Sequence, residues 1–381
     1  MFRALRVCGI TSVAVKQKGG PVFEDIIKAA KTDAPQHTLV ESAEIKPVPE
    51  ANEGIRIAVV GVGGAGCNCV NRMMKAGLKS ATAVAVNTDA KHLKITDAHK
   101  KILIGKAITR GLGAGGDPEI SRKAAEADRE TLKNEIGENE LVFVVAGMGG
   151  GTGTGALPVI ARIAKEQGAI VVAMVTYPFN IERSRLKTAQ RGIKELVSIA
   201  DTVVVIDNNR LLAYAPNLPL NQAFELADSI TTRAVTGISD TIMFPSLINV
   251  DFADVKAVMQ NGGVAFISLG EGNGHDRVQD AIKSTLEHPL LDVDYEGAKG
   301  ALIHLEGGAD LTLGDAIKIG EGVTGSFAED ANVKVGARIN PDLHGTVRVT
   351  SIVVGVKSPM IFQKEEAGGI VHLTDEDMAG L

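Results

Sequence analysis

Two glycine-rich segments have residue types and spacing that suit the binding of phosphate. The first, GVGGAG at residues 61–66, follows the apolar run IRIAVV, and the second, GMGGGTGTG at residues 147–155, follows the apolar run LVFVVA. Glycine turns let backbone N–H groups converge on an anion, and the N-terminus of a following helix adds positive charge. Thr152 and Thr154 supply further hydroxyl donors. The pattern predicts two phosphate-binding turns, which suit a triphosphate better than a pyrophosphate.

The first segment has two other interpretations. It satisfies G-x-G-x-x-G, and Asp89 is a candidate for the acidic residue of a dinucleotide site, so an NAD(P)-dependent oxidoreductase is one alternative. Tight packing without any ligand is the structural alternative. The chain has no G-x-x-x-x-G-K-[ST], so it lacks the Walker lysine. Phosphate charge must then be met by backbone dipoles and a cation, and Mg²⁺ is the expected one.

The elements that must position these turns alternate between buried strands and helices. Apolar runs at residues 55–60, 81–87, 101–105, 141–146, 169–177 and 202–208 read as strands, and helical patterns cover residues 121–136 and 156–168. This alternation predicts an α/β fold with a parallel sheet covered on both faces. The carboxyl ends of parallel strands share one edge, so both glycine turns are expected to face the same crevice.

Changes in composition divide the chain into five parts. They are an N-terminal extension and linker at 1–54, a nucleotide-binding domain at 55–219, a long central helix at 220–244, a smaller α+β domain at 245–356 and an acidic flexible tail at 357–381. The central helix is expected from apolar residues that recur at helical spacing over about residues 220–241.

Composition excludes several classes of protein. A formal net charge of −6 with scattered basic residues argues against nucleic-acid binding. No apolar run approaches the ~20 residues of a membrane span, and the N-terminus lacks the features of a signal peptide. Cys67 and Cys69 have no nearby cysteine or histidine to complete a metal site, so we expect buried free thiols and no protein-bound metal. This cysteine usage predicts a cytoplasmic protein.

Several motifs, in order, resemble the tubulin/FtsZ family over about residues 55–356. They are IAVVGVGGAGCN, AVAVNTDAKHL, ITRGLGAGGDPE, GMGGGTGTG, VTYPFNIERSR and LINVDFADVKAVM. The details are more similar to archaeal than to bacterial FtsZ. The resemblance implies a Rossmann-like parallel-sheet GTPase domain, joined by a long central helix to a smaller α+β domain. It also implies GTP and GDP as ligands and a role in cell division, at the mid-cell division site.

The resemblance assigns a set of residues to the nucleotide. Those around the phosphates are Gly64, Ala65, Gly66, Cys67, Asn68, Gly151, Thr152 and Gly153, and the loops at 87–90, which includes Asn87, and 114–117 lie nearby. Glu182 is assigned to the ribose, and Arg185 is favoured over Arg183 for the family arginine. A solvated helix start is the alternative for the run ERSR, and a helix N-cap is the alternative for Asp117.

Other residues are assigned to the guanine base. The resemblance implies that Phe224 stacks on the ring and that Asp228 accepts from N1–H and N2–H; Asn208 is a weaker candidate at the base. A carboxylate suits those two donors and would reject adenine. Core packing of Phe224 and simple surface exposure of Asp228 are the alternatives.

The segment NVDFAD contains three candidate catalytic residues: Asn249, Asp251 and Asp254. Their pattern alone is typical of helix capping. The resemblance implies instead that the aspartates polarise the water that attacks the γ-phosphate. A central helix of roughly 30 Å would carry this segment away from its own nucleotide and towards that of the next subunit. Head-to-tail polymerisation would then be required for hydrolysis.

The sequence also leads to expectations about binding partners and to one further alternative function. The two tails are expected to contact division proteins and membrane adaptors. A non-hydrolysing filament or regulatory paralogue is the remaining alternative, against which the intact Asp251 and Asp254 argue.

Overall fold

A computed structural model describes residues 54–210, 219–244, 246–248, 250–260, 262–287, 295 and 298–355. Asn249, residues 1–53 of the predicted N-terminal extension and the predicted acidic tail lie outside the described residues. The strands are β1 Ile57–Val62, β2 Thr82–Asn87, β3 Lys100–Leu103, β4 Leu141–Gly147, β5 Ile170–Tyr177, β6 Thr202–Asp207, β7 Gly263–Asn273, β8 Gly300–Gly307, β9 Asn332–Ile339 and β10 Thr346–Val354.

The strands form one ten-stranded sheet with the order β3-β2-β1-β4-β5-β6-β7-β10-β8-β9. Strands β1 to β6 are all parallel, and β7 continues the parallel arrangement beside β6. Strand β10 is antiparallel to both of its neighbours, while β9 is parallel to β8. The predicted parallel sheet is confirmed, and it extends without a break into the second half of the chain.

Helices cover both faces of the sheet. They are α1 Gly63–Lys75, α2 Ala90–Ile95, α3 Lys106–Thr109, α4 Pro118–Ala127, α5 Arg129–Ile136, α6 Gly151–Glu166, α7 Arg183–Val197, α8 Leu220–Met243, α9 Phe252–Met259, α10 Arg277–Leu286 and α11 Leu313–Thr324. One apolar cluster joins α1, α8 and α9 to the sheet, and a second joins α4, α5, α6 and α7 to the opposite face. A third cluster lies under α10 and α11. The predicted domain boundaries stay a prediction.

Residues 121–136, expected as one helix, form two. Helix α4 ends at Ala127 and α5 begins at Arg129, because the backbone of Asp128 between them is not helical (φ −103°, ψ 21°). The carboxylate of Asp128 accepts a hydrogen bond from Gly105 N–H at 2.5 Å. Asp117 caps α4: its side chain accepts from Glu119 N–H at 2.8 Å. The capping role predicted as an alternative for Asp117 is therefore confirmed.

Helix α6 begins earlier than the sequence indicated, and α1 likewise includes residues 63–66 of its glycine segment. We expected α6 to start near Leu157, but it starts at Gly151, so the glycine segment forms its first turn. The reason is packing. A Cβ on Gly66 in α1 would lie 2.3 Å from the carbonyl oxygen of Val145, and one on Gly155 in α6 would lie 1.9 Å from that of Pro118. Only glycine lets these first turns approach so closely.

The long helix α8 runs from the carboxyl ends of the parallel strands to their amino ends. It has 24 residues, about 36 Å at 1.5 Å per residue. After it, α9 lies at the amino ends of the parallel strands, where Thr202 at the start of β6 donates from its hydroxyl to the carbonyl oxygen of Met259 at 2.6 Å. No helix in the described part of the chain is long and apolar enough to cross a membrane.

Candidate nucleotide-binding site

A cavity of about 450 Å³ lies where β1, β4, β5 and β6 end. It is lined by Val62, Gly64, Ala65, Asn68, Gly147, Met148, Gly150, Gly151, Thr152, Gly153, Thr176, Pro178, Glu182, Arg185, Asn208, Phe224, Ala227 and Asp228. Both glycine segments contribute, so the expectation that they face one crevice is confirmed. Most of the site residues predicted from the sequence are brought together here.

Glycines in the two segments serve different purposes. A Cβ on Gly64 or on Gly150 would have no heavy atom within 4 Å, and both residues line the cavity. Gly66 and Gly155 instead face backbone atoms of neighbouring elements. The structural alternative therefore holds at the packing positions, while the open positions expose backbone N–H groups at the starts of α1 and α6.

The two threonines of the second segment also differ. Thr152 lines the cavity, and its hydroxyl lies 2.8 Å from that of Thr88. Thr154 is buried, and its hydroxyl oxygen accepts from Gly149 N–H at 2.8 Å. The expectation that both hydroxyls face an anion is therefore wrong for Thr154, which fixes the shape of the turn instead.

Three predicted nucleotide residues do not line the cavity: Gly66, Cys67 and Asn87. Cys67 is buried, and burial raises the pKa of its thiol to about 12. Cys69 is buried too, and both are free thiols, as predicted. A thiol in such surroundings stays protonated and serves packing.

Asn87 takes part in a hydrogen-bond chain that the sequence analysis missed. Its Oδ1 accepts from Asp89 N–H at 3.2 Å, and its Nδ2 lies 3.3 Å from His92 Nδ1. The other imidazole nitrogen, Nε2, lies 3.0 Å from Oδ1 of Asn68. With Asn87 as donor, His92 carries its proton on Nε2 and donates to Asn68. The spacing of Asn87 and His92 around the start of α2 was the only signal in the sequence.

One end of the cavity presents hydrogen-bond acceptors beside an aromatic ring. Phe224 is 43% exposed and meets Phe179 edge-on, with ring centroids 5.5 Å apart. Asp228 lies one helical turn further along α8, and burial raises the pKa of its carboxyl to about 7. Asn208 is buried, and its Oδ1 has no hydrogen-bond partner among the described residues. Buried acceptors of this kind are normally satisfied, so a ligand that presents donors would suit this end of the cavity.

The rim of the cavity carries an ion pair. Arg185 Nη1 lies 2.5 Å from Glu182 Oε2, and both residues line the cavity, whereas Arg183 does not. The arginine favoured from the sequence is thus the one at the cavity. It is also the one Lys or Arg side chain among the described lining residues.

Asp251 and Asp254 lie elsewhere, at the start of α9. They form a capping box, in which Asp251 Oδ1 accepts from Asp254 N–H at 2.8 Å and Asp254 Oδ2 accepts from Asp251 N–H at 3.4 Å. Neither lines the cavity. Helix α9 lies at the amino edge of the parallel strands and the cavity at the carboxyl edge, so these carboxylates are remote from it.

Comparison with known proteins is consistent with this geometry. The Tubulin/FtsZ family GTPase domain matches residues 56–216, and the FtsZ family C-terminal domain matches residues 263–357. Cell division protein FtsZ 2 of Methanocaldococcus jannaschii is 58% identical over 313 residues, which cover 81% of this chain and 82% of that protein. The chain belongs to the tubulin/FtsZ family.

Further FtsZ proteins extend the match. Cell division protein FtsZ 1 of Pyrococcus furiosus is 48% identical over 348 residues, 91% of this chain and 92% of its own. An empty FtsZ dimer from M. jannaschii superposes with a TM-score of 0.76 at 43% identity, covering 88% of this chain and 92% of that one. The protein is therefore a cell-division protein of the FtsZ type with a tubulin-like GTPase domain, and the predicted fold is confirmed.

Family membership excludes the oxidoreductase alternative, and the structure gives a physical reason. Asp89, the candidate ribose ligand of a dinucleotide site, caps α2 instead. Its Oδ1 accepts from Lys91 N–H at 2.8 Å and from His92 N–H at 3.1 Å. A carboxylate engaged in this way does not face the cavity as an NAD site would require.

Proposed function

We propose that this FtsZ protein is an assembly-dependent GTPase. It binds GTP and GDP in the cavity, polymerises head to tail into protofilaments, and completes hydrolysis with the NVDFAD segment of the next subunit. The observation that carries the nucleotide assignment is the unpartnered, buried Oδ1 of Asn208 beside the carboxylate of Asp228.

Guanine fits the acceptor end of the cavity. Its N1–H and N2–H groups are donors, which match the Asp228 carboxylate and the Asn208 carbonyl oxygen. Adenine presents an acceptor at N1 and would leave these groups unpaired, which costs affinity. The exposed face of Phe224 offers a surface for stacking of the base.

The phosphates fit the opposite end. The N-termini of α1 and α6 present backbone N–H groups there, with Gly64, Gly151 and Thr152 at the surface of the cavity. Among the residues that the structure describes, no group of three or more His, Cys, Asp or Glu side chains could hold a metal ion. A Mg²⁺ ion would therefore be held chiefly by phosphate oxygens and water, and would neutralise phosphate charge.

The positions of the two sites support a head-to-tail arrangement. Asp251 and Asp254 cannot reach the cavity of their own chain, but subunits stacked head to tail would bring them to that of a neighbour. Exposed apolar side chains lie near both the cavity and the acidic segment. Ile181, next to the cavity residue Glu182, is 88% exposed, and Leu247, which precedes α9, is 59% exposed. The dimer of the M. jannaschii relative supports self-association.

In this proposal, Asn249, Asp251 and Asp254 position the attacking water, and catalysis comes mainly from positioning. We further propose that the filaments act in the cytoplasm at the mid-cell division site, in formation of the division ring and septum. The tails would contact division proteins and membrane adaptors.

The test is the rate of GTP hydrolysis measured against protein concentration, with filaments quantified by sedimentation. We expect a steep rise above a threshold, and Asp254→Ala should bind GTP normally yet lose turnover. A strictly linear rate would contradict assembly dependence. Filaments without turnover would favour the non-hydrolysing alternative, and loss of GTP binding in Asp254→Ala would overturn the assignment to the neighbouring subunit.

A further inference from the structure

Lys334 on β9 contacts the candidate catalytic residue Asp254. Its Nζ lies 2.7 Å from Asp254 Oδ1, and the two side chains are 34% and 30% exposed. The other carboxylate oxygen of Asp254 accepts from Asp251 N–H. We infer that Lys334 is a positioning residue for GTP hydrolysis, which holds Asp254 and carries a positive charge with it to the triphosphate of the next subunit. This inference rests on the proposed function.

Lys334 belongs to the same structural unit as the acidic segment. Residues just before α9 pair with β9: Leu247 N–H donates to the carbonyl of Ala337 at 2.7 Å, and Ala337 N–H donates to that of Ile248 at 3.1 Å. Strand β9 is in turn held along its length by β8. The acidic segment and Lys334 are therefore tied together, and a neighbour that meets one also meets the other.

The charge of Lys334 matters because the cavity itself offers little positive charge. Arg185, the one cationic side chain among the described lining residues, is already paired with Glu182. Two carboxylates that approach a triphosphate in such surroundings are repelled by it. An ammonium group held against Asp254 offsets this repulsion and fixes the carboxylate in one orientation.

A purely structural role predicts a different outcome. Helix α9 is anchored by the buried side chains Val255, Val258 and Met259 and by its own capping box. A partly exposed ion pair adds little to stability. Loss of Lys334 should therefore leave the folded subunit intact while it disturbs Asp254.

The pH dependence of hydrolysis distinguishes the two roles. The hydrogen bond from Lys334 lowers the pKa of the Asp254 carboxyl. Among the described residues, the other titratable group that contacts Asp254 is Asp251, at the start of the same helix. Without Lys334, the pKa of Asp254 rises towards its ordinary value, so the acidic limb of the hydrolysis profile moves to higher pH.

The experiment compares Lys334→Met and Lys334→Arg with Lys256→Met, which removes a charge from the exposed side of α9, the helix that carries Asp254. For each full-length protein, GTP affinity, turnover per polymerised subunit from pH 3 to 8 and thermal stability are measured. We expect Lys334→Met to lower turnover roughly 5- to 20-fold, with unchanged GTP affinity and a displaced acidic limb. Lys334→Arg should restore most of the turnover, and Lys256→Met should behave as wild type.

The inference would be overturned if Lys334→Met and Lys256→Met lost turnover equally. It would also be overturned if Lys334→Met kept the turnover and the pH profile of the wild type. Failure of the proposed function is recognised separately. In that case the wild-type protein itself shows no rise in turnover on assembly, or Asp254→Ala retains activity.

Discussion

The imidazole Nε2 of His92 lies 3.0 Å from the amide Oδ1 of Asn68, a residue that lines the cavity. Asn87 donates to the other ring nitrogen, so the Nε2–H of His92 is the donor towards Asn68. The side chain of Asn68 is thereby fixed with its Nδ2 group available to a ligand. His92 thus orders a cavity residue without lining the cavity itself.

Replacement of His92 should therefore weaken nucleotide binding. We expect His92→Phe to raise the Kd for GDP about 3- to 10-fold, because Asn68 loses the donor that orients it. His92→Gln, which keeps an amide donor, should lose less. Titration of a fluorescent GDP analogue measures the affinities. In a double-mutant cycle, Asn68→Ala and His92→Phe should be non-additive; full additivity would show that the two side chains act independently.

Two glycine substitutions should separate binding from folding. Gly64→Ala places its methyl group where no heavy atom lies within 4 Å, so stability should stay within about 1 kcal/mol of wild type while GDP binding weakens. Gly155→Ala places a methyl group 1.9 Å from a carbonyl oxygen, so the free energy of unfolding should fall by roughly 2 kcal/mol or more. Thermal denaturation and GDP titration of both variants test this. If Gly64→Ala were destabilised but bound GDP normally, Gly64 would serve packing rather than nucleotide binding.

Local pattern in the sequence predicted much of the site. The choice of Arg185 over Arg183 came from the resemblance to the tubulin/FtsZ family. Both glycine segments and the helical positions of Phe224 and Asp228, by contrast, follow from strand ends and from spacing along α8. These features depend on residues that are close in sequence or on the register of a single element. Such arrangements are visible without a structure.

Contacts between distant segments could not be predicted in the same way. The pairs Asn68–His92 and Asp254–Lys334 join residues whose separation in sequence carries no period or motif. The early start of α6 depends on a close approach to Pro118, which only the packed helices reveal. The unpartnered Oδ1 of Asn208 is likewise a property of its buried surroundings.

The raised pKa of Asp228 predicts how stability depends on pH. Burial raises the pKa of its carboxyl in the folded protein to about 7, from an ordinary value of 3.8. Protonated Asp228 therefore favours the folded state at low pH, and this contribution is lost as pH rises from about 4 through 7. With allowance for its partial exposure, we expect nucleotide-free Asp228→Asn to exceed wild type in stability at pH 8 by on the order of 1–3 kcal/mol.

Denaturant unfolding of the nucleotide-free proteins at several pH values measures this effect. The advantage of Asp228→Asn should shrink as the pH is lowered and vanish near pH 4, where the wild-type carboxyl is protonated in both states. A constant difference across this range would show that titration of Asp228 is not its source.

The same substitution should change which base the cavity prefers. Ionised Asp228 accepts from two donors on guanine, whereas an asparagine at this position would offer one acceptor and one donor. Xanthine keeps N1–H but carries a carbonyl oxygen in place of the N2 amino group, so it matches the asparagine amide. We expect Asp228→Asn to lose at least about 10-fold in GTP affinity and to bind XTP better than wild type does.

Competition of GTP, XTP and ATP against a fluorescent nucleotide measures the preference, with Phe224→Leu as the control that weakens stacking for every base alike. If Asp228→Asn kept the wild-type order of affinities, the base would have to contact a different part of the cavity.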